Sequence, residues 1–170
     1  TLIPPKLFEE LIMYSQNKKD VGIISPKIYF AKGHEYHSES YTNSQKGKVI
    51  LYAGGMIDWN NVYAHHRGVD DVDVGQFDDG VETAFATGCC MGITNEVINS
   101  VGMLDEKYFL YYEDVDLCVR AQKKGFKVMY YPHVFLWHKN ASSSGSAGSQ
   151  LHRYYQTRNR LYFGFRYAFF

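Results

Sequence analysis

Leu104-Asp105-Glu106-Lys107-Tyr108-Phe109-Leu110-Tyr111-Tyr112-Glu113-Asp114-Val115-Asp116-Leu117-Cys118 is the stretch on which the reading of this chain turns. It runs from a turn through an aromatic, strand-like segment into two adjacent carboxylates, Glu113 and Asp114. These open a helix predicted to end near Lys124, with Gly125 as its stop. An acid at a helix start is favoured by free backbone N–H groups and by the positive end of the helix dipole. Two roles are therefore open to Asp114 from the residues alone: a helix cap, or a general base held out of the core. Asp116 lies about 200° further around the helix and is read instead as the i,i+4 partner of Arg120.

Working outward, Thr94 is placed as the cap of a short helix carrying Val97, Ile98 and Val101 and ended by Gly102. Before it, residues 82–91 read as a strand of small side chains, whose Gly88 lets other groups approach the backbone. Earlier still, Leu7, Phe8, Leu11 and Ile12 recur at helical spacing, and residues 21–30 form a buried strand that Pro26 breaks in two. Residues 33–47 suggest a hairpin or surface excursion, and 48–57 a strand with a glycine turn. Residues 58–80 carry Trp59, His65, His66, Arg67 and several aspartates with few apolar anchors, the pattern of a long irregular segment. On the C-terminal side, 126–132 is a strand terminated by Pro132, followed by a second run at 134–138. A flexible Ser/Gly/Ala loop is expected at about 140–150, and a closing helix at 151–170. Strands alternating with helices argue an α/β architecture with a mixed sheet in a single domain, 1–170.

Composition narrows the function classes. At 170 residues and 45% apolar, the chain can bury one real core. Its 18 basic and 18 acidic residues cancel, which gives no bulk electrostatic argument for nucleic acid. Three cysteines make neither a disulfide framework nor a zinc pattern and read as reduced cytosolic thiols. No apolar run approaches the roughly 20 residues that span a bilayer. The chain opens on Thr1-Leu2-Ile3-Pro4-Pro5 without Met and is read as a piece of a longer protein.

Several groups compete for the chemistry. Asp71-Val72-Asp73 has a spelling that can chelate a hard cation, and equally that of a solvated acidic loop. His138, at the end of an apolar strand, is either a metal ligand or a hydrogen-bonded structural residue. No G-x-S-x-G surrounds a serine, Cys89 has no identifiable base, and no phosphate-cradling G-x-x-x-x-G-K-[ST] is present. Arg153, Arg158, Arg160 and Arg166, interleaved with aromatics, suit either solvated helix positions or contact with phosphates or a membrane surface.

Taken together, Thr87-Gly88-Cys89-Cys90-Met91, Val101 to Phe109, Tyr112 to Arg120, Gly125-Phe126-Lys127-Val128, Pro132, His138 and Arg158-Asn159-Arg160-Leu161 resemble the C-terminal half of a family 2 glycosyltransferase, rhamnosyltransferase-like members above all. The resemblance implies a partial GT-A-like mixed sheet with flanking helices, lacking the N-terminal nucleotide-binding half. It implies inverting transfer of a sugar from a nucleotide-sugar donor to a polysaccharide or lipid-linked acceptor, with Asp114 as base and Glu113 as its orienting neighbour. Thr87, Gly88 and Cys89 would line the acceptor side, and His138 would complete the coordination of Mg²⁺ or Mn²⁺. The location implied is cytoplasmic, at the inner face of the membrane, with peripheral membrane contact. Because the D-x-D strand of such enzymes should precede Thr1, these 170 residues alone are expected to be inactive and to bind nucleotide poorly. The alternative is a non-catalytic carbohydrate-binding module that stacks sugars on Trp59, Trp137 and the tyrosines. A metal-dependent hydrolase built on Asp70, Asp71, Asp73 and the histidines ranks last.

Overall fold

The fold is built on two long strands that lie side by side, β1 (Val21–Phe30) and β7 (Lys127–His138). A computed structural model describes residues 1–139 and 149–168; the loop expected at about 140–150 lies almost wholly outside the described residues. β1 and β7 run parallel, from Val21 opposite Lys127 to Phe30 opposite His138. β1 is buried along almost its whole length, as a strand covered on both faces must be, and hence reads as a continuous apolar run. The break expected at Pro26 is not there. Pro26 pairs with Tyr131 and Lys27 with Phe135, so the ladder skips residues 132–134. Both strands carry a proline at this shift, where a missing N–H is accommodated by slipping register rather than by ending the strand. The two runs expected at 126–138 are likewise one strand.

The other edge of β1 is shared by β2 (Ile50–Tyr52) and β6 (Gly92–Ile93), both antiparallel to it, while β5 (Val81–Glu82) pairs antiparallel with β7. A separate hairpin joins β3 (Gly55–Asp58) to β4 (Tyr63–His66). This is the mixed sheet with flanking helices expected of a GT-A-like fold. One face is covered by α1 (Leu7–Gln16) through Leu7 and Leu11, in a core shared with Ile28, Phe30, Tyr52 and Leu136. The other is covered by α2 (Asn95–Val101) and α3 (Glu113–Lys123), with Ile23, Val97, Leu117 and Val128 in its core, and by Phe163 of α4 (Gln150–Tyr167).

Helix limits follow their local signals. Thr94 accepts the Val97 N–H as the cap of α2, Gly102 closes it, and α3 ends just before Gly125 at φ 90°. Gly22 is required by packing, since a Cβ there would come within 2.4 Å of Val97 Cγ2. Elsewhere tertiary context overrides the local reading. Of the two forms expected for residues 33–47 it is the surface excursion that is seen, with turns and a 3-10 turn at Ser38–Ser40. Of the expected small-residue strand at 82–91 only Glu82 falls in β5; beyond it Phe85, Ala86 and Thr87 are buried without a ladder. Residues 58–80 are anchored after all, by the β4 hairpin and by buried Lys27, whose Nζ reaches Asp73 at 2.8 Å and Asp78 at 2.5 Å. Asp73 also accepts from the Tyr29 hydroxyl, so it is a structural counter-ion and not a free chelating group.

Candidate active site

Residues 108–112, expected as an aromatic strand, are an irregular run of bends. Phe109, Tyr111 and Tyr112 take φ values of 62°, 68° and 71°, a left-handed region that costs a residue with a side chain about 1–2 kcal/mol. The loop is held there from outside. The Asn159 side-chain amide on α4 donates to the carbonyl oxygens of Tyr108, Leu110 and Tyr111 at 2.9, 2.6 and 2.8 Å. The neighbouring Arg158 donates to the Lys107 carbonyl, and the Tyr112 hydroxyl donates to the Val62 carbonyl at 3.2 Å. Asp116, fully buried, accepts from Arg120 at 2.7 Å, Arg166 at 3.1 Å, Tyr108 at 3.2 Å and Tyr167 at 2.7 Å, so the predicted i,i+4 pair is part of a larger clamp. Strain beside a charged helix start persists only where its surroundings over-determine it, and here three elements do so.

This clamp delivers Glu113 and Asp114 to a cleft of about 460 Å³. Asp114 Oδ2 accepts the Gly88 N–H at 2.8 Å, and Oδ1 accepts the Val115 N–H at 2.8 Å. A Cβ at Gly88 would sit 3.5 Å from Oδ2, an ordinary van der Waals contact, so the approach itself leaves room for a small side chain. Burial pushes the Asp114 pKa up; the two N–H bonds and nearby His66 pull the other way without prevailing. Glu113 is pushed up to about 7, first by burial and then by the charge of Asp114, and its Oε2 is buried without a hydrogen-bond partner. A carboxylate left unpaired in a cleft is costly for the fold and marks a functional site more often than a structural one.

Thr87, Gly88, Cys89, Glu113, Asp114 and His138 all line this one cleft, although they come from three separate parts of the chain. The thiols of Cys89 and Cys90 are pushed up by burial, Cys90 to about 11, and all three cysteines are free; they are inert spacers rather than nucleophiles. His138 shares a hydrogen bond with Thr1 Oγ1 at 3.0 Å, and burial lowers its pKa, which keeps the ring neutral as a ligand or acceptor requires. Among the described residues no three His, Cys, Asp or Glu side chains converge to hold a metal ion. The donor set around His138 therefore does not make a metal centre by itself.

The sequence reading named His66 only within the irregular 58–80 segment and did not bring it, His152 or Gln156 to this cleft, which all three line. His66 Nδ1 lies 2.9 Å from the Leu51 carbonyl, which can only accept, so this nitrogen carries the proton and Nε2 is the acceptor of the neutral ring. Burial lowers its pKa, against the pull of the Asp114 charge. The only signal was period 2 along β4, which puts Ala64 and His66 on one face. Trp59 stacks on Phe163 at 5.7 Å, whereas Trp137 packs on Phe135 and donates to the Gly47 carbonyl; the two do not form one sugar platform.

No helix among the described residues is long and apolar enough to cross a membrane. Comparison with known proteins finds 39% identity over 59 residues to the N-acetylglucosaminyl-diphospho-decaprenol L-rhamnosyltransferase of Mycobacterium tuberculosis, covering 35% of this chain and 19% of that protein. The low-salt glycan biosynthesis hexosyltransferase Agl10 of Haloferax volcanii is 37% identical over 43 residues, 25% of this chain and 14% of that one. An uncharacterized protein of Sinorhizobium fredii is 22% identical over 147 residues, 85% of this chain and 15% of that protein. The matched stretches thus span under a fifth of each relative's length. The model of the glycosyltransferase like family 2 matches residues 1–163, and with the mixed sheet and flanking helices already described, the chain belongs to that family of sugar-transferring enzymes.

Proposed function

We propose that residues 1–170 form the acceptor side of an inverting glycosyltransferase, with Asp114 as its general base. The acceptor hydroxyl attacks the anomeric carbon of a nucleotide sugar, its proton passes to a carboxylate oxygen of Asp114, and the bond to the nucleoside diphosphate breaks as that group leaves. The observation that carries this reading is the Asp114 carboxylate, fixed by the Gly88 and Val115 N–H groups at the wall of a cleft shared with Glu113. Fixing the base in position avoids reorganisation at the moment of reaction, and its raised pKa strengthens it for proton abstraction near neutral pH. Glu113 orients and electrostatically tunes Asp114, while Thr87, Gly88 and Cys89 line the acceptor.

His138 is assigned as a ligand for the Mg²⁺ or Mn²⁺ that accompanies a nucleotide diphosphate, on the order of motifs rather than on a preformed donor set. The same proposal leaves nucleotide recognition to residues outside these 170, in keeping with relatives of which less than a fifth is matched. It gives the product as a cell-surface or extracellular glycan made at the inner face of a membrane.

Asp114→Asn in the full-length protein tests the base. Asn keeps the shape and still accepts the Gly88 N–H through its oxygen, but its NH2 then faces the Val115 N–H, so the fold and donor binding should hold with a loss of about 1 kcal/mol in stability. Transfer should fall by about 10²- to 10⁴-fold. Transfer at the wild-type rate would remove Asp114 from this role.

A further inference from the structure

A second groove, of about 380 Å³, lies between the β3–β4 turn and the outer side of α4. Gln156 lines both this groove and the Asp114 cleft, and adjacent Tyr63 and Ala64 on β4 line one each, so the two adjoin. Its polar wall is built from Asn60, Asn61, Thr157 and Arg160, and among the described residues no carboxylate lines it. Asp58, behind the turn, already accepts from the Asn60 and Asn61 backbone N–H groups and from the Asn61 side-chain amide. Arg160 spends Nε and Nη2 on the Asn61 carbonyl, which steadies the guanidinium and leaves its Nη1 edge for another acceptor. Immediately beyond stands Leu161, 57% exposed, on a stripe with Tyr154 at 60% and Leu151 at 46%. These three fall within an arc of about 80° on α4. Along this path a polar cleft passes into an amide- and arginine-lined groove and then onto an apolar helix face.

We propose that this groove takes the diphosphate of a lipid-linked sugar acceptor, with the sugar over Asp114 and the start of the lipid chain along Leu161 and Tyr154. The inference rests on reading the cleft as the acceptor site. A planar guanidinium with a steadied fork and neutral amides suits phosphate oxygens, and the absence of lining carboxylates removes the repulsion an anion would meet. A nucleoside diphosphate offers the same anion but no alkyl chain for the apolar stripe.

The test is calorimetric titration of the full-length protein with three soluble probes: octyl diphosphate carrying N-acetylglucosamine, the octyl glycoside of the same sugar, and uridine diphosphate. The diphosphate-linked probe should bind at least ~10-fold tighter than the glycoside, an advantage lost in Arg160→Gln and partly restored in Arg160→Lys. Leu161→Asn should weaken both octyl probes and leave uridine diphosphate unchanged. Equal affinity for the two octyl probes would overturn the proposal, and so would an Arg160→Gln loss shared equally by both. If Arg160→Gln weakened uridine diphosphate instead, the groove would belong to the donor and the proposal would fail. None of these readouts needs transfer, so the outcome for Asp114→Asn is judged separately.

Discussion

Glu113 is in tension with its surroundings. Its side-chain pKa is raised from 4.5 to about 7, first by burial and second by Asp114. A carboxyl whose folded pKa exceeds its unfolded one contributes full stability below about 4.5, and that contribution is lost as pH rises through about 7. Glu113→Gln removes the ionisation. The variant should match the wild type in unfolding free energy near pH 4.5 and exceed it at pH 8, by on the order of 1–2 kcal/mol after allowance for solvent screening, as urea melts would measure. A gap that closes with rising pH would refute this. Asp114→Asn should also bring the Glu113 pKa below about 7, because the repelling charge is gone; carboxyl carbon shifts followed by NMR would report it. The acid pair was legible in the sequence because its spelling and position are local. His66 was not, since its nearness to Asp114 arises only when the β3–β4 hairpin folds against the cleft.

At the scale of elements, α4 acts on α3 through Asn159. Three backbone carbonyls converge on one amide, and only a donor satisfies them. Asn159→Ala should cost about 2–3 kcal/mol by orphaning those carbonyls. Asn159→Asp should cost more, because it turns a negative acceptor toward three others. Urea melts of both variants check the order, and an Asp variant as stable as Ala would refute it. Caps and stops were readable in the sequence, as Thr94, Gly102 and Gly125 show, because they are satisfied within a few residues. Residues 108–112 were misread as strand. Their aromatic character carries real β-propensity, and the force that overrides it comes from Asn159, about 50 residues away.

Across the whole molecule, β1 is stitched to the 70–80 segment by a buried lysine, and β7 by the Tyr130 hydroxyl, which donates to the Phe77 carbonyl at 2.9 Å. Lys27 is 2% exposed and holds Asp73 and Asp78 together, with Tyr29 completing the contact. Lys27 and Tyr29 bonds outweigh burial and keep the Asp73 pKa below its usual value. Stability from this pair is present above the ordinary carboxylate range and is lost as pH falls through the depressed pKa. Lys27→Met should destabilise by about 3–5 kcal/mol, leaving Asp73 buried without its cation, and should reverse the sign of the Asp73 contribution. Chemical denaturation at pH 4 and pH 7 should then show a variant deficit that shrinks on acidification. The mixed sheet itself was legible from alternating strands and helices. The shared proline slip in β1 and β7 was not, because register is a property of two strands together.

The two faces of α4 also have a bearing on how such enzymes diversify. One face, through Asn159 and Phe163, holds the backbone that presents the acids, and change there is paid in folding. The other, through Tyr154, Thr157 and Leu161, is exposed, and substitution there leaves the acid pair where it is. If the outer face meets the acceptor as proposed, a lineage can drift across one side of a single helix and try new acceptors while the acid pair stays in place. Saturation mutagenesis of α4 should return a sequence logo that alternates between frozen and free with a period of about 3.6 residues.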